Sequence, residues 1–167
     1  MKNKLVPVFL GALVFIGLVF GLIALFPEPT SADSIENASL TVSETSWNFG
    51  EISMKDGDAI REVQLTNDSL VPITITRLET SCMCTSSQIV HVDGSKSGVK
   101  GMVGMGGSSP SLSEVVDVGE TVNLIVKFDP NAHGPNGTGP ITRNVMLQTN
   151  SQDQPEISLT FSGDVVK

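Results

Sequence analysis

The chain has 167 residues, 40% of them hydrophobic but only 5% aromatic, with no Tyr and a formal net charge of −8. Its first apolar run, Leu5 to Phe26, takes 22 residues and four of the seven Phe without a single charge, so residues 27–167 carry eighteen acidic against eight basic side chains, a net of −10. Those residues amount to one domain, too poor in aromatics for a large aromatic binding surface and too acidic to attract nucleic acid or anionic headgroups.

At about 1.5 Å per residue the run reaches roughly 33 Å, enough for a ~30 Å hydrocarbon core. Lys2 and Lys4 precede it, whereas Glu28, Asp33 and Glu36 come after it. Positive flanks stay cytoplasmic, so residues 1–26 are expected to be a cytoplasmic stub and single-pass transmembrane anchor, with the remainder extracytoplasmic, periplasmic or at the cell surface. The alternative is a cleaved secretory signal cut after Ala32. A run longer than the ~7–15 residues of a signal core favours the anchor, and both alternatives export the domain.

Residues 27–39 mix Pro, Ser, Thr and acids without periodicity, which suits a tether. From Leu40 onward hydrophobic residues alternate: Trp47 and Phe49; Val63 and Leu65; Ile73 and Ile75; Val122, Leu124, Val126 and Phe128; Val145 and Leu147; Ile157, Leu159 and Phe161. Leu40 to Ser43 and Ser87 to Val92 add two more strands. Turn chemistry separates them at residues 55–58, 67–69, 119–120, 129–140 and 150–155. Strands with one buried and one wet face pair as two antiparallel sheets, so residues 40–167 are expected to be all-β, an immunoglobulin-like β-sandwich of about seven strands. Eleven of the eighteen residues from Gly94 to Ser111 are Gly or Ser, which predicts a flexible, poorly packed insertion. With its only two cysteines two positions apart, the chain has no inter-sheet disulfide. Burial must hold the sandwich together, with Trp47, Phe49, Phe128 and Phe161 as its largest core groups.

The run Trp47-Asn48-Phe49-Gly50-Glu51-Ile52, then Pro72-Ile73-Thr74-Ile75, then Ser81-Cys82-Met83-Cys84-Thr85, resembles a bacterial family of uncharacterised exported Ig-like domains related to the Hydin-type and major-sperm-protein-type sandwiches. Gly119-Glu120, Val126-Lys127-Phe128-Asp129, Thr149-Asn150 and Gly163-Asp164-Val165 extend the likeness over nearly everything from Leu40 onward. The resemblance implies a seven-strand sandwich behind a leader, commonly with a CxC element, and brings no established activity or substrate. Met83 stands where the family commonly has Gly, and the insertion 94–111 is longer and richer in Gly than usual.

Cys82 and Cys84 are the one plausible chemical feature. In an extended strand their Cα atoms would be about 6.6 Å apart, near the upper limit for a disulfide, so bridging would demand a tight, strained turn. Three readings stand side by side: a structural element of the turn, a reducible disulfide for thiol exchange, and a thiolate pair for a soft metal such as copper. For copper, Met83, Met102, Met105 and His91 are the further candidate ligands; two Cys and one His fall short of a four-ligand zinc site. His133 reads as a loop residue.

The stretch Asp129 to Pro140 fails as an EF-hand, with His133 at position five and Pro140 at position twelve. Gly101 to Gly107 lacks the βα context and Lys-Ser/Thr of a phosphate loop. No Ser nucleophile motif accompanies either His. These features leave two functions. The leading one is a non-enzymatic, membrane-anchored binding or structural module whose partner is an envelope protein or surface component. The other is an exported copper- or thiol-handling protein built on the CxC pair.

Overall fold

The structure, a computed structural model, describes residues 35–104 and 109–167; the expected anchor, the first part of the tether and Met105 lie outside the described residues. No helix among the described residues is long and apolar enough to cross a membrane. Their regular structure is nine strands: β1 (Leu40–Val42), β2 (Ser46–Ser53), β3 (Ala59–Asn67), β4 (Ile73–Thr80), β5 (Thr85–Val90), β6 (Ser111–Val116), β7 (Thr121–Phe128), β8 (Gly139–Thr149) and β9 (Glu156–Val166). They form a four-stranded sheet in the order β1-β3-β7-β5 and a five-stranded sheet in the order β2-β9-β8-β4-β6. This is the Ig-like sandwich that alternation predicts, with one departure from antiparallel pairing: β2 runs parallel to β9. The strand that the alternation does not mark is β6, which starts at the end of the Gly/Ser-rich insertion.

The core obeys the alternation residue by residue: Val63, Leu65, Ile73, Ile75, Val122, Leu124, Val126, Val145, Leu147, Leu159 and Phe161 are fully buried. Each such side chain contributes roughly 1.5–3 kcal/mol of burial free energy, which is how this fold stands without an inter-sheet disulfide. Trp47 and Phe49 pack on the core but remain partly exposed, because β2 is an edge strand with one neighbour instead of two. Trp47 stacks on Phe161 at 5.5 Å, and Phe49 and Phe128 meet the same ring edge-on. Beyond Phe49 the register shifts at a bulge where Gly50 takes φ of 71°, so that Ile52 rather than Glu51 turns inward.

The insertion is better held than its composition suggests. Ser87 pairs with Lys100 and Val90 with Lys96 along the outer edge of β5, and buried Ser97 accepts the Ile89 N–H through its hydroxyl at 3.0 Å. Lys100 Nζ donates to the carbonyls of Ser109 and Ser111, both at 2.8 Å. Segment 95–101 thus covers an edge that would otherwise offer unpaired backbone groups. The cover does not depend on small residues at every position: a Cβ on Gly101 would make only ordinary contact with the Thr85 carbonyl oxygen, at 3.6 Å.

Strand direction sorts the connections into two poles. Ile35 bridges Ser151, the Asn37 N–H donates to Asp153, and Ser39 and Ser69 exchange hydrogen bonds, so residues 35–39, expected to be tether, already dock on the sandwich. Their pole also holds the β3–β4, β6–β7 and β8–β9 turns. At the other pole, about eight strand residues or roughly 26 Å away along β4, three chain segments cross from one sheet to the other. They are the β2–β3 turn, 54–58, the β4–β5 turn, 81–84, and the β7–β8 loop, 129–138.

Candidate functional site: a disulfide where two crossovers meet

The β4–β5 turn must carry the chain between sheets in four residues, and this brings the Cα atoms of Cys82 and Cys84 to 5.2 Å, closer than an extended strand allows; the two are joined in a disulfide. Thr80 organises the turn, its buried hydroxyl lying 3.0 Å from the carbonyls of both Cys82 and Thr85. The Cys84 N–H points at Cys82 Sγ (3.2 Å), and the Thr85 N–H closes the turn on the Cys82 carbonyl at 3.1 Å. Met83 lies between the cysteines, 53% exposed.

The β7–β8 loop is pinned to this turn by the Asp129 N–H, which donates to the Cys84 carbonyl at 2.8 Å. From this loop His133 Nε2 comes to 3.4 Å from Cys82 Sγ. The loop is tight: a Cβ on Gly137 would fall 2.9 Å from His133 Cβ, so only glycine fits beneath the imidazole without moving it. On the far side of the disulfide Arg143 Nε donates to Cys84 Sγ at 3.3 Å, while its Nη1 donates to the Thr142 carbonyl at 2.8 Å. Arg143 is in phase with inward-facing Val145 and Leu147 on β8, so its guanidinium is aimed at the end of the core instead of at solvent. Each sulfur therefore has its own side-chain nitrogen neighbour, delivered from 51 and 59 residues away.

As a staple this disulfide does little. Loop-closure entropy for a ring spanning three residues amounts to about 1.6 kcal/mol, against about 3 for a fifteen-residue loop. The turn is in any case fixed by Thr80 and by the Cys82–Thr85 hydrogen bond. Chemistry at sulfur, not chain constraint, is what the surroundings are suited to.

The six residues named from sequence do not all converge. Cys82 and Cys84 do, and Met83 stays beside them facing outward. Met102 comes after Gly101, whose carbonyl accepts the Thr80 N–H at 3.3 Å, so its segment passes the turn. Met105 is outside the described residues. His91 is at the opposite pole, where Nδ1 meets Glu120 at 2.8 Å and Nε2 meets Glu114 at 3.2 Å. The hydrogen bond to Glu120 raises its pKa above the ordinary histidine value against the opposing effect of burial. His133, read from sequence as a loop residue, is instead the histidine at the disulfide. Two signals point to it and to Arg143. Strand parity puts the turns at 81–84 and 129–138 at one pole, and an arginine in the hydrophobic phase of a strand marks a directed cation.

No family model matches the sequence, and no curated protein matches it. Among solved structures the chain is similar to a protein of unknown function from Porphyromonas gingivalis, with a TM-score of 0.55 and 12% identity over 81% of this chain and 50% of that one. It is also similar to the ASH/PapD-like domain of human CEP192, with a TM-score of 0.48 and 11% identity over 85% of this chain and 94% of that one. This chain spans about half the length of the Porphyromonas protein, and the likeness to it is one of fold.

Proposed function

We propose that the chain is a membrane-anchored, extracytoplasmic, non-enzymatic Ig-like module that displays its disulfide pole to an envelope protein or surface component. One observation carries this: residues 35–39 join the sandwich at one pole and the CxC turn lies at the other. The outward Met83 beside the disulfide gives a partner an apolar contact at the second pole. The anchor itself rests on the uncharged run Leu5 to Phe26 and its flanking charges. A membrane-impermeant amine reagent applied to intact spheroplasts tests the arrangement. It should label exposed Lys55 and Lys167, reaching Lys2 and Lys4 only after lysis; the reverse pattern overturns the topology. A photo-crosslinking residue at Met83 should then capture a partner that the same residue at Val118, at the other pole, does not.

A second reading, a soft-metal site, is favoured by the ligand atoms of Cys82, Cys84 and His133, which all lie within 4.8 Å of one another. It requires the reduced pair, since thiolates and not a disulfide bind Cu(I). The reduced full chain should take up one equivalent of Cu(I) in competition with a chelator, and Cys82→Ser/Cys84→Ser should take up none.

A further inference from the structure

We propose that the Cys82–Cys84 disulfide is a thiol–disulfide exchange centre in which Cys82 Sγ is the sulfur a partner thiolate attacks and Arg143 holds the Cys84 thiolate that departs. The polarity comes from the asymmetry of the two sulfurs. Cys82 is 8% exposed and Cys84 2%. Cys84 Sγ is enclosed by the Thr85 hydroxyl at 3.8 Å and by the Arg143 Nε–H at 3.3 Å, two donors directed at the position where charge develops when the bond breaks. Exchange is fastest when the leaving thiolate is the better stabilised of the two, and a guanidinium N–H on sulfur supplies a charge-assisted hydrogen bond. Cys82 Sγ accepts the Cys84 N–H at 3.2 Å and has beside it the exposed His133, on a solvent loop that gives an incoming sulfur a route; the permanently charged guanidinium is on Cys84.

The first step forms a bond between the partner's sulfur and Cys82 Sγ and breaks the Cys82–Cys84 bond, the electron pair leaving on Cys84 Sγ. No net oxidation has yet occurred. A second thiolate of the partner then attacks the partner's own sulfur in the mixed disulfide, expelling the Cys82 thiolate. The partner gains a disulfide and loses two electrons; this chain gains them as two thiolates. Return of Cys84 onto Cys82 Sγ instead reverses the first step. The partner class is thus a protein carrying a cysteine pair. Placing that partner outside the cytoplasm rests on the proposed topology, while the sulfur chemistry does not.

The test uses the full chain in detergent, with reduced glutathione as the attacking thiol. Arg143→Gln keeps the disulfide but removes the charged guanidinium and its Nε–H. Its reduction by glutathione should be about tenfold slower than that of the unaltered chain, with Arg143→Lys intermediate because an ammonium restores charge but not the directed Nε–H. Trp47 fluorescence and the melting temperature, read on the same samples, report whether the fold has changed. Early in the reaction of the unaltered chain, acid quenching, alkylation and peptide fragmentation by mass spectrometry should find glutathione on Cys82 and the alkyl group on Cys84 about tenfold more often than the reverse. Equal reduction rates for the unaltered chain and a folded Arg143→Gln, or glutathione chiefly on Cys84, overturns the proposal. If Arg143→Gln melts early, the position of glutathione in the unaltered chain decides the polarity by itself. Exchange that proceeds as expected in a chain whose Lys55 and Lys167 are labelled only after lysis would leave the chemistry standing and remove the location.

Discussion

The two poles of the sandwich each hold one of the chain's two histidines, and they use them in opposite ways. At the pole where the chain joins, both ring nitrogens of His91 face carboxylates, and Glu120 also accepts the Asp117 N–H at 2.9 Å. Every polar direction there is answered from within. At the disulfide pole His133 is exposed and offers one nitrogen to a sulfur, and Arg143 offers another. A closed hydrogen-bonded network stabilises a turn, whereas side chains converging on a breakable bond are placed for the exchange proposed above; the same residue type carries either meaning according to what surrounds it.

The contrast between the poles is tested most severely at Asn67. This residue is fully buried; its Nδ2 donates to the carbonyls of Val71 and Val116, both at 2.9 Å, and its Oδ1 accepts the Ser69 N–H at 3.0 Å. Asn67→Ala strips partners from three backbone groups where two turns meet, and should cost about 2–4 kcal/mol in urea unfolding. A loss below about 1 kcal/mol, the net worth of one ordinary hydrogen bond, would mean that the joining pole is not the structural one. By contrast, Cys82→Ala/Cys84→Ala should cost only about 1.6 kcal/mol, the entropy of a three-residue ring, with an unchanged denaturant slope. A double variant that fails to fold would make the disulfide a structural necessity and erase the difference between the poles.

Most of the fold was legible because its signal is local. Alternation from Val63 to Phe161 identifies the inward residues without knowledge of strand order, and the strands it marks are those observed. β1 and β2 were legible as separate strands, but not that the crossing at residues 43–45 sends them to different sheets, since both alternate alike. In the insertion, composition reports conformational freedom but not pairing: Val99 and Val103 are exposed, yet Ser97 hydrogen-bonds β5 and Lys96 and Lys100 bridge to it. At the site, the cysteines were visible and their neighbours were not: His133 and Arg143 reach sulfur across 51 and 59 residues, separations that hydrophobic periodicity does not encode. Asn67 was visible only as a turn residue, although it is the hydrogen-bonding centre of its pole.

The smallest effect concerns pH. His91 has its pKa raised by the hydrogen bond to Glu120, opposed by burial and assisted by Glu114 and the nearby negative charge. Glu120, which burial alone would push up, is lowered on balance by its hydrogen bond with His91 and by the Asp117 N–H. A histidine whose folded pKa lies above its unfolded value of about 6.5 contributes stability that is fully present below that value and lost as pH rises through the folded pKa. For Glu120 the contribution is present above its unfolded value of about 4.5 and lost as pH falls through the folded pKa. The pair therefore helps most between about pH 4.5 and 6.5, where imidazolium faces carboxylate. His91→Gln should lose on the order of 0.5–1 kcal/mol relative to the unaltered chain near pH 5.5 and progressively less toward about pH 9, a range set by exposure to solvent. A loss that stays the same from about pH 5.5 to 9 would show that the His91 ion pairs do not hold the joining pole.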